Sequence, residues 1–171
     1  MKNQFFKLAA KTIVFVLIFL SVLSFKSKNI STNESSNPNF TATINSVARF
    51  KASGAYAYKV MNNYSIIGNS GKDWITIGFL TKDQSQIVPG TYQINNGIKS
   101  PTGQSFSIDV IYKEDAIDLN HTFLSESGTM ELTEASSTHF KGTFTCLVKQ
   151  MKGGSETRTI NASFDVNYRG K

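Results

Sequence analysis

The densest group of residues suited to chemistry lies between Lys113 and Asn120 and at the histidine that follows. Glu114, Asp115, Asp118 and His121 place three carboxylates and an imidazole close together. Oxygen ligands at such close range are what an extracellular Ca²⁺ site uses, and paired carboxylates serve glycosidases as acid and base. The segment lacks the regular acidic spacing of a calcium loop, and any domain with 12 Asp and Glu offers carboxylate pairs. We therefore predict a solvated loop with no metal site and no cofactor.

The two histidines, His121 and His139, provide little further support for catalysis. Neither belongs to an HExxH or paired-histidine motif, and the chain has no GxSxG nucleophile elbow. Both adjoin turn-forming residues, which predicts exposed loop side chains. The glycine-rich segment at 68–72 lacks the glycine spacing of a phosphate loop and is followed by Asp73, so it is more typical of a hairpin turn. We predict no catalytic residues.

Aromatic residues are the remaining candidates for binding. Tyr56 and Tyr58 alternate with Ala55 and Ala57, so both tyrosines lie on one face of a predicted strand. The pattern favours tyrosines buried in the core, with the alanines allowing close approach on the other side. The alternative is an exposed face that stacks on a sugar ring or a peptide, with Trp74 at its rim.

A side-chain period of two dominates the region that would position these residues. Phe106, Ile108, Val110 and Tyr112 alternate with polar residues, and the residues from Thr159 to Tyr168 repeat the pattern. Trp74–Leu80 is apolar on both faces, which predicts a central strand with Gly78 at a bulge or a close approach. Further predicted strands lie at 40–45, 49–52, 55–61, 64–67, 91–95, 128–133 and 140–148.

Glycine, proline and asparagine turns separate these runs, and only 113–120 suggests a helical turn. The sequence thus predicts an all-β domain, either an antiparallel β-sandwich or a partly closed meander barrel. The last third is predicted to be a meander. The single cysteine, Cys146, alternates with Phe144 and is predicted to be a buried small hydrophobic residue.

The order of these strands and turns resembles a known family of small exported β-proteins. The matching segments are FTATINSVARFKASGAYAYKV at 40–60, DWITIGFL at 73–80, PGTYQI at 89–94, SGTMELTE at 127–134, FKGTFTC at 140–146 and INASFDVNY at 160–168. The family is usually lipid-anchored, is found in Bacteroidota, and has no assigned activity. The resemblance implies an all-β extracytoplasmic domain. Members usually carry a lipid-modified cysteine after the apolar leader, whereas residues 21–29 contain none.

The leader itself predicts export. Three lysines precede the apolar run Ile13–Leu23, which is shorter than the roughly 20 residues of a membrane span. A signal peptide over 1–24, cleaved between Ser24 and Phe25, is favoured. An uncleaved anchor helix is the alternative, because Lys26 and Lys28 follow the run. Residues 25–39 are rich in Asn and Ser and predict a flexible tether, leaving one domain over 40–171.

Charge argues against nucleic acid as a partner. The chain has 18 Lys and Arg against 12 Asp and Glu, and removing the three leader lysines leaves 15 against 12, scattered along the chain. We therefore expect a periplasmic, cell-surface or secreted module that binds a small ligand or an envelope partner, without enzymatic activity. An envelope-assembly subunit acting through its sheet edges is the alternative. A small hydrolase using Glu114, Asp118, His121 or His139 is the least favoured.

Overall fold

A computed structural model describes residues 39–81, 86–95 and 104–169, all within one compact unit. These residues form ten β-strands and one short 3₁₀-helix, Leu119–His121. The strands are β1 (Asn39–Ile44), β2 (Ala48–Lys51), β3 (Gly54–Val60), β4 (Asn63–Ser70), β5 (Asp73–Thr81), β6 (Gly90–Asn95), β7 (Phe106–Lys113), β8 (Thr122–Ala135), β9 (His139–Gln150) and β10 (Thr157–Asn167).

The all-β prediction is confirmed. The ten strands form a single sheet in the order β2-β1-β10-β9-β8-β6-β7-β5-β4-β3, curled into a half-barrel. Neighbours are antiparallel except β6 and β7, which are parallel at Ile94 and Ile108. The predicted meander is present, since β8, β9 and β10 are sequential antiparallel neighbours. The predicted leader helix, its cleavage site and the tether up to residue 38 lie outside the described residues, while Asn39 already belongs to β1.

The strands alternate strictly between inward and outward side chains, and the inward ones fill the inside of the curled sheet. In β10, Ile160, Ala162, Phe164 and Val166 are buried, and the residues between them are exposed or half-buried. The buried interior includes six phenylalanines that are at most 2 % exposed, at positions 40, 79, 106, 123, 140 and 164. Cys146 is 1 % exposed, and burial raises the pKa of its thiol to about 12, so it is a small core residue as predicted.

In β8, the alternation of apolar and polar residues in the sequence predicts only the second half of the strand. A β-bulge between Ser125 and Ser127 shifts the register, so Phe123 faces the interior before the bulge and Met130 after it. The first part of β8 pairs with β7 and the second part with β6, so the two partner strands diverge at the bulge.

Ser125 bridges β6 and β7 at the point where they diverge. It is 1 % exposed, its Oγ accepts from the backbone N–H of Val110 at 3.0 Å, and it donates to the carbonyl of Asn95 at 3.0 Å. The serine therefore satisfies backbone groups of β7 and β6 where the regular ladder cannot reach them.

The end of β10 reaches the edge strand β3. Ala57 and Tyr168 form an isolated bridge, and the N–H of Arg169 donates to the carbonyl of Ala57 at 2.7 Å. The N–H of Tyr168 donates to Thr138, in the β8–β9 turn, also at 2.7 Å. We call these contacts of Ala57, Tyr168 and Arg169 the seam; they connect the edge strand β3 to the C-terminal end of β10.

Candidate functional site

The outer surface of the sheet differs between its two halves. On β9 and β10 the outward positions carry mainly Thr, Lys, Asn and Ser, as expected of a face in water. On β3, β4, β5 and β7 the outward positions include large apolar side chains among polar residues and glycines. We call this second surface the outer apolar face; it comprises Tyr56, Tyr58, Ile67, Trp74, Leu80 and Ile111.

The two tyrosines of β3 lie on this outer face, whereas the sequence pattern favoured a position in the core for both. Ala55 and Ala57 are 3 % and 0 % exposed and occupy the interior, while Tyr56 and Tyr58 are half-buried on the other side. Their ring centroids are 6.0 Å apart at an interplanar angle of 43°. The guanidinium of Arg169 lies over the Tyr56 ring at 4.5 Å, so the seam of the sheet also orients this tyrosine.

Trp74 is on the same face as the tyrosines. Tyr56 pairs with Ile67, and Ile67 pairs with Thr76, which is two residues from Trp74 along β5. Directly paired residues point to the same side of a sheet, so these residues share a surface, with Trp74 about 12 Å from Tyr56 at the backbone. Trp74 is half-buried, and Ile67 is only 1 % exposed although it faces outward.

A row of polar groups crosses the apolar face. Tyr58 pairs with Ser65, Ser65 with Gly78, and Gly78 with Asp109. Burial raises the pKa of Tyr58, and a hydrogen bond with the Ser65 side chain partly offsets that rise. The row therefore runs from one hydroxyl to a second, across a glycine, to a carboxylate.

Gly78 provides the space for Asp109. A Cβ at position 78 would overlap Oδ1 of Asp109, so the carboxylate lies over the glycine backbone. Burial raises the pKa of Asp109 to about 6, and backbone N–H groups of Asp109 and Gly78 oppose the rise only in part. The predicted close approach at Gly78 is confirmed. Asp109 itself was missed, because in the sequence it is only one polar member of an alternating strand.

Two buried hydroxyls on this surface lack a partner among the described residues. Ser107, two residues before Asp109, is 1 % exposed, and Thr122, paired with Lys113 in the row of Trp74, is 2 % exposed. Neither side-chain oxygen has a hydrogen-bond partner within the described part of the chain. An unsatisfied buried hydroxyl costs about 1–3 kcal/mol, so the polar groups of this face are not fully satisfied by these residues alone.

The acidic residues of the segment predicted as a solvated loop make separate local contacts. Asp118 caps the 3₁₀-helix by accepting from the N–H of Asn120 at 2.8 Å, and its other oxygen lies 2.9 Å from Nδ1 of His121. These bonds hold the pKa of Asp118 below its usual value. Glu114 instead accepts from Arg158 at 3.0 Å. Across residues 39–81, 86–95 and 104–169, no three His, Cys, Asp or Glu side chains come together as a metal-binding group.

His139 is not the exposed loop residue that the sequence predicted. It begins β9, its side chain is 21 % exposed, and its two ring nitrogens lie 2.9 Å from Glu134 and 2.6 Å from Asp165. Asp165 also pairs with Lys141 at 3.0 Å. Burial alone would lower the pKa of His139, but the hydrogen bonds and charges of the two carboxylates outweigh it and raise the pKa.

His139 therefore does not meet the other three residues of the hydrolase hypothesis. Glu114 contacts the beginning of β10 through Arg158, whereas His139 contacts its end through Asp165. The seven residue steps from Arg158 to Asp165 span about 23 Å of strand. Asp118 and His121 contact each other, and the backbone N–H of Glu114 donates to the carbonyl of His121 at 3.1 Å, while the Glu114 side chain binds Arg158.

Comparison with known proteins adds no relative. No family model matches the chain, and searches against curated proteins and against solved structures find no match. The described residues contain no helix of a length and hydropathy suited to crossing a membrane. The outer apolar face, with the polar row ending at Asp109, is thus the candidate site that the geometry itself defines.

Proposed function

We propose that this protein is an exported, non-enzymatic module of the cell envelope that binds a ligand or partner on its outer apolar face. The observation that supports this most is the contrast between the two halves of the outer surface. One half carries the short polar side chains of a solvated sheet, and the other carries Tyr56, Tyr58, Trp74 and Ile111. These four side chains are half-buried, and the parts of their apolar surface that stay in solvent lie on one face, which is typical of an interaction site.

The leader supports the location. The lysine-flanked run Ile13–Leu23 directs the chain out of the cytoplasm whether it is removed or retained as an anchor. The resemblance to exported β-proteins points to the same compartment. We propose that the domain acts at the periplasmic or outer surface of the envelope, and that any membrane contact is made by the leader alone.

A binding face is a better account than assembly through the sheet edge. Edge-to-edge pairing needs free backbone groups along an outer strand. On β3 the carbonyl of Ala57 already accepts from Arg169, and Ala57 is bridged to Tyr168. The middle of the β3 edge is therefore occupied by the chain's own C-terminal segment, and the other edge strand, β2, is only four residues long.

Site-specific photo-cross-linking of the full chain tests the proposal. A benzophenone amino acid replaces Tyr58 on the outer apolar face or, as the control, Thr145 on the exposed outer surface of β9, in the native host. We expect a cross-linked product of increased mass from position 58 and none from position 145. Equal products at both positions, or a product with the mass of one chain only, would contradict a binding role for this face.

A further inference from the structure

The seam between β3 and β10 is anchored beside a histidine. The backbone N–H of Tyr168 donates to the carbonyl of Thr138 at 2.7 Å, and Thr138 directly precedes His139. One residue further along the chain, the N–H of Arg169 donates to the carbonyl of Ala57 on β3. His139 itself belongs to the last paired position of β9 with β10. The seam therefore depends on how firmly the end of β10 is held against the start of β9.

Four charged side chains meet at this end of the sheet. Nδ1 of His139 lies 2.9 Å from Glu134 of β8, and Nε2 lies 2.6 Å from Asp165 of β10. Lys141, on β9, lies 3.0 Å from the second oxygen of Asp165. The β8–β9 turn, residues 136–138, adds no charge, and the next charged group of β10's continuation, Arg169, stacks on an aromatic ring of β3. The four charges cancel when the imidazole is protonated and leave one excess negative charge when it is neutral.

The geometry of the His139 ring requires the protonated form. A neutral imidazole has a single N–H, so it would place a lone pair against one of the two carboxylates. The bridge from Glu134 to Asp165 is therefore complete only when both ring nitrogens donate. Burial lowers the pKa of His139, but the hydrogen bonds and charges of Glu134 and Asp165 outweigh burial and raise it. The bridge is complete below pH 6.5 and is lost as pH rises through the folded pKa.

We infer that His139 is a pH-sensitive latch for the seam between β3 and β10. With the imidazole protonated, Glu134 and Asp165 are held on either side of the ring, and the end of β10 stays against β9. When the ring loses its proton, one of the two hydrogen bonds is lost and the carboxylates repel each other with less compensation. The end of β10 then separates from β9 more often, and the seam opens with it.

Opening of the seam changes two features of the edge strand β3. The carbonyl of Ala57 loses the N–H of Arg169 as its donor, which leaves this backbone group at the edge of the sheet free. The guanidinium of Arg169 also leaves the ring of Tyr56, over which it lies at 4.5 Å. The latch thus controls the edge that the chain otherwise covers itself. It lies outside the polar row of the outer apolar face and does not depend on the proposed binding function.

Hydrogen exchange of the Arg169 amide in the full chain tests the latch. NMR gives its protection factor, relative to the intrinsic exchange rate, at a series of pH values between 5.5 and 9. We expect this factor to fall about fivefold, which corresponds to the loss of one partly exposed ion pair. The midpoint should coincide with the titration of the His139 ring signals. The reference is the N–H of Asn45, which donates to Thr159 at the other end of β10 at 2.8 Å. Its protection corrects for changes in global stability.

Three variants separate the latch from a merely structural role of the histidine. His139→Gln has no titrating ring, so the corrected protection of Arg169 should no longer depend on pH. His121→Gln, at the only other histidine of the chain, is the matched control and should keep the wild-type profile. Glu134→Gln removes one carboxylate from the ring and should move the midpoint to lower pH. Circular dichroism checks that each variant is folded, and Glu134→Gln decides the question where His139→Gln does not fold.

The latch predicts a change that only the His139 ring controls. A corrected protection factor of Arg169 that stays constant between pH 5.5 and 9 in the wild-type protein would overturn the inference. A fall that persists in His139→Gln would overturn it as well, because another group would then be responsible. A midpoint that Glu134→Gln leaves in place would have the same consequence.

Discussion

The raised pKa of Asp109 predicts that Asp109→Asn stabilises the protein, and only at pH values where the carboxylate ionises. The pKa rises from 3.8 to about 6 on folding. A two-unit shift corresponds to about 3 kcal/mol, since each unit is worth about 1.4 kcal/mol. Because the folded state holds the proton more tightly, the native state binds more protons than the unfolded state between these values. Stability is therefore lost as pH rises from 4 to above 6.

The neutral amide introduced by Asp109→Asn avoids this penalty. We expect the substitution to raise the free energy of unfolding by less than about 1 kcal/mol at pH 4 and by about 3 kcal/mol at pH 8. The second value corresponds to roughly 10 °C in the melting temperature of a domain of this size. Urea titrations of both proteins at a series of pH values provide the measurement, and taking the difference removes the contribution of all other groups.

Glu131→Gln is the matched control, because its side chain is exposed on the polar half of the outer surface. It should change stability by less than about 0.5 kcal/mol at every pH. A stability difference for Asp109→Asn that stays constant between pH 4 and 8 would refute the argument, since a buried carboxylate must impose a pH-dependent cost. A destabilising effect at pH 8 would show that ionised Asp109 has a compensating partner.

Substitutions at two other residues, Ser125 and His139, are expected to destabilise the protein. Replacing Ser125 by Ala removes the hydroxyl that binds the N–H of Val110 and the carbonyl of Asn95, and we expect a loss of about 2–3 kcal/mol in urea unfolding. Ser127→Ala, at the exposed side of the same bulge, should cost less than about 0.5 kcal/mol. The folded pKa of His139 is raised above 6.5, so its contribution is complete below that value and is lost as pH rises through the folded pKa. His139→Gln should therefore destabilise the protein more at pH 5.5 than at pH 9, and an equal loss at both would contradict the ion-pair account.

The strands were largely predictable because alternation is a local property. Trp74–Leu80 and Phe106–Tyr112 each lie inside an observed strand, and the alternating run from Thr159 to Tyr168 matches β10 to within two residues. The failure at β8 also has a local cause. The bulge at Ser125 reverses the parity of the inward side chains, so the first half of the strand has no continuous alternation with the second. The predicted helical turn at 113–120 is reduced to the 3₁₀-helix at its end.

The candidate site was less predictable because the sequence of one strand does not specify which strand it pairs with. Asp109 differs from other outward polar residues only because Gly78 is its partner, and 31 residues separate the two in sequence. His139 illustrates the same limit, since its neighbours Glu134 and Asp165 come from two other segments of the chain. Tyr56 and Tyr58 were recognised as one face, but only the paired strands show that the face points outward.

Among the described residues, the interior and the polar half of the surface offer few groups that lack a partner. The inside of the curled sheet is filled by aromatic and aliphatic side chains that pack on one another, including Phe79 against Phe106 and Phe140. The outer surface of β9 and β10 is made of short polar residues and ion pairs that satisfy themselves, as at His139. The outer apolar face instead carries a carboxylate that costs free energy when ionised and hydroxyls without partners among the described residues. A bound ligand that supplies a hydrogen bond to Asp109 would recover part of that cost, which supports the proposed binding at this face.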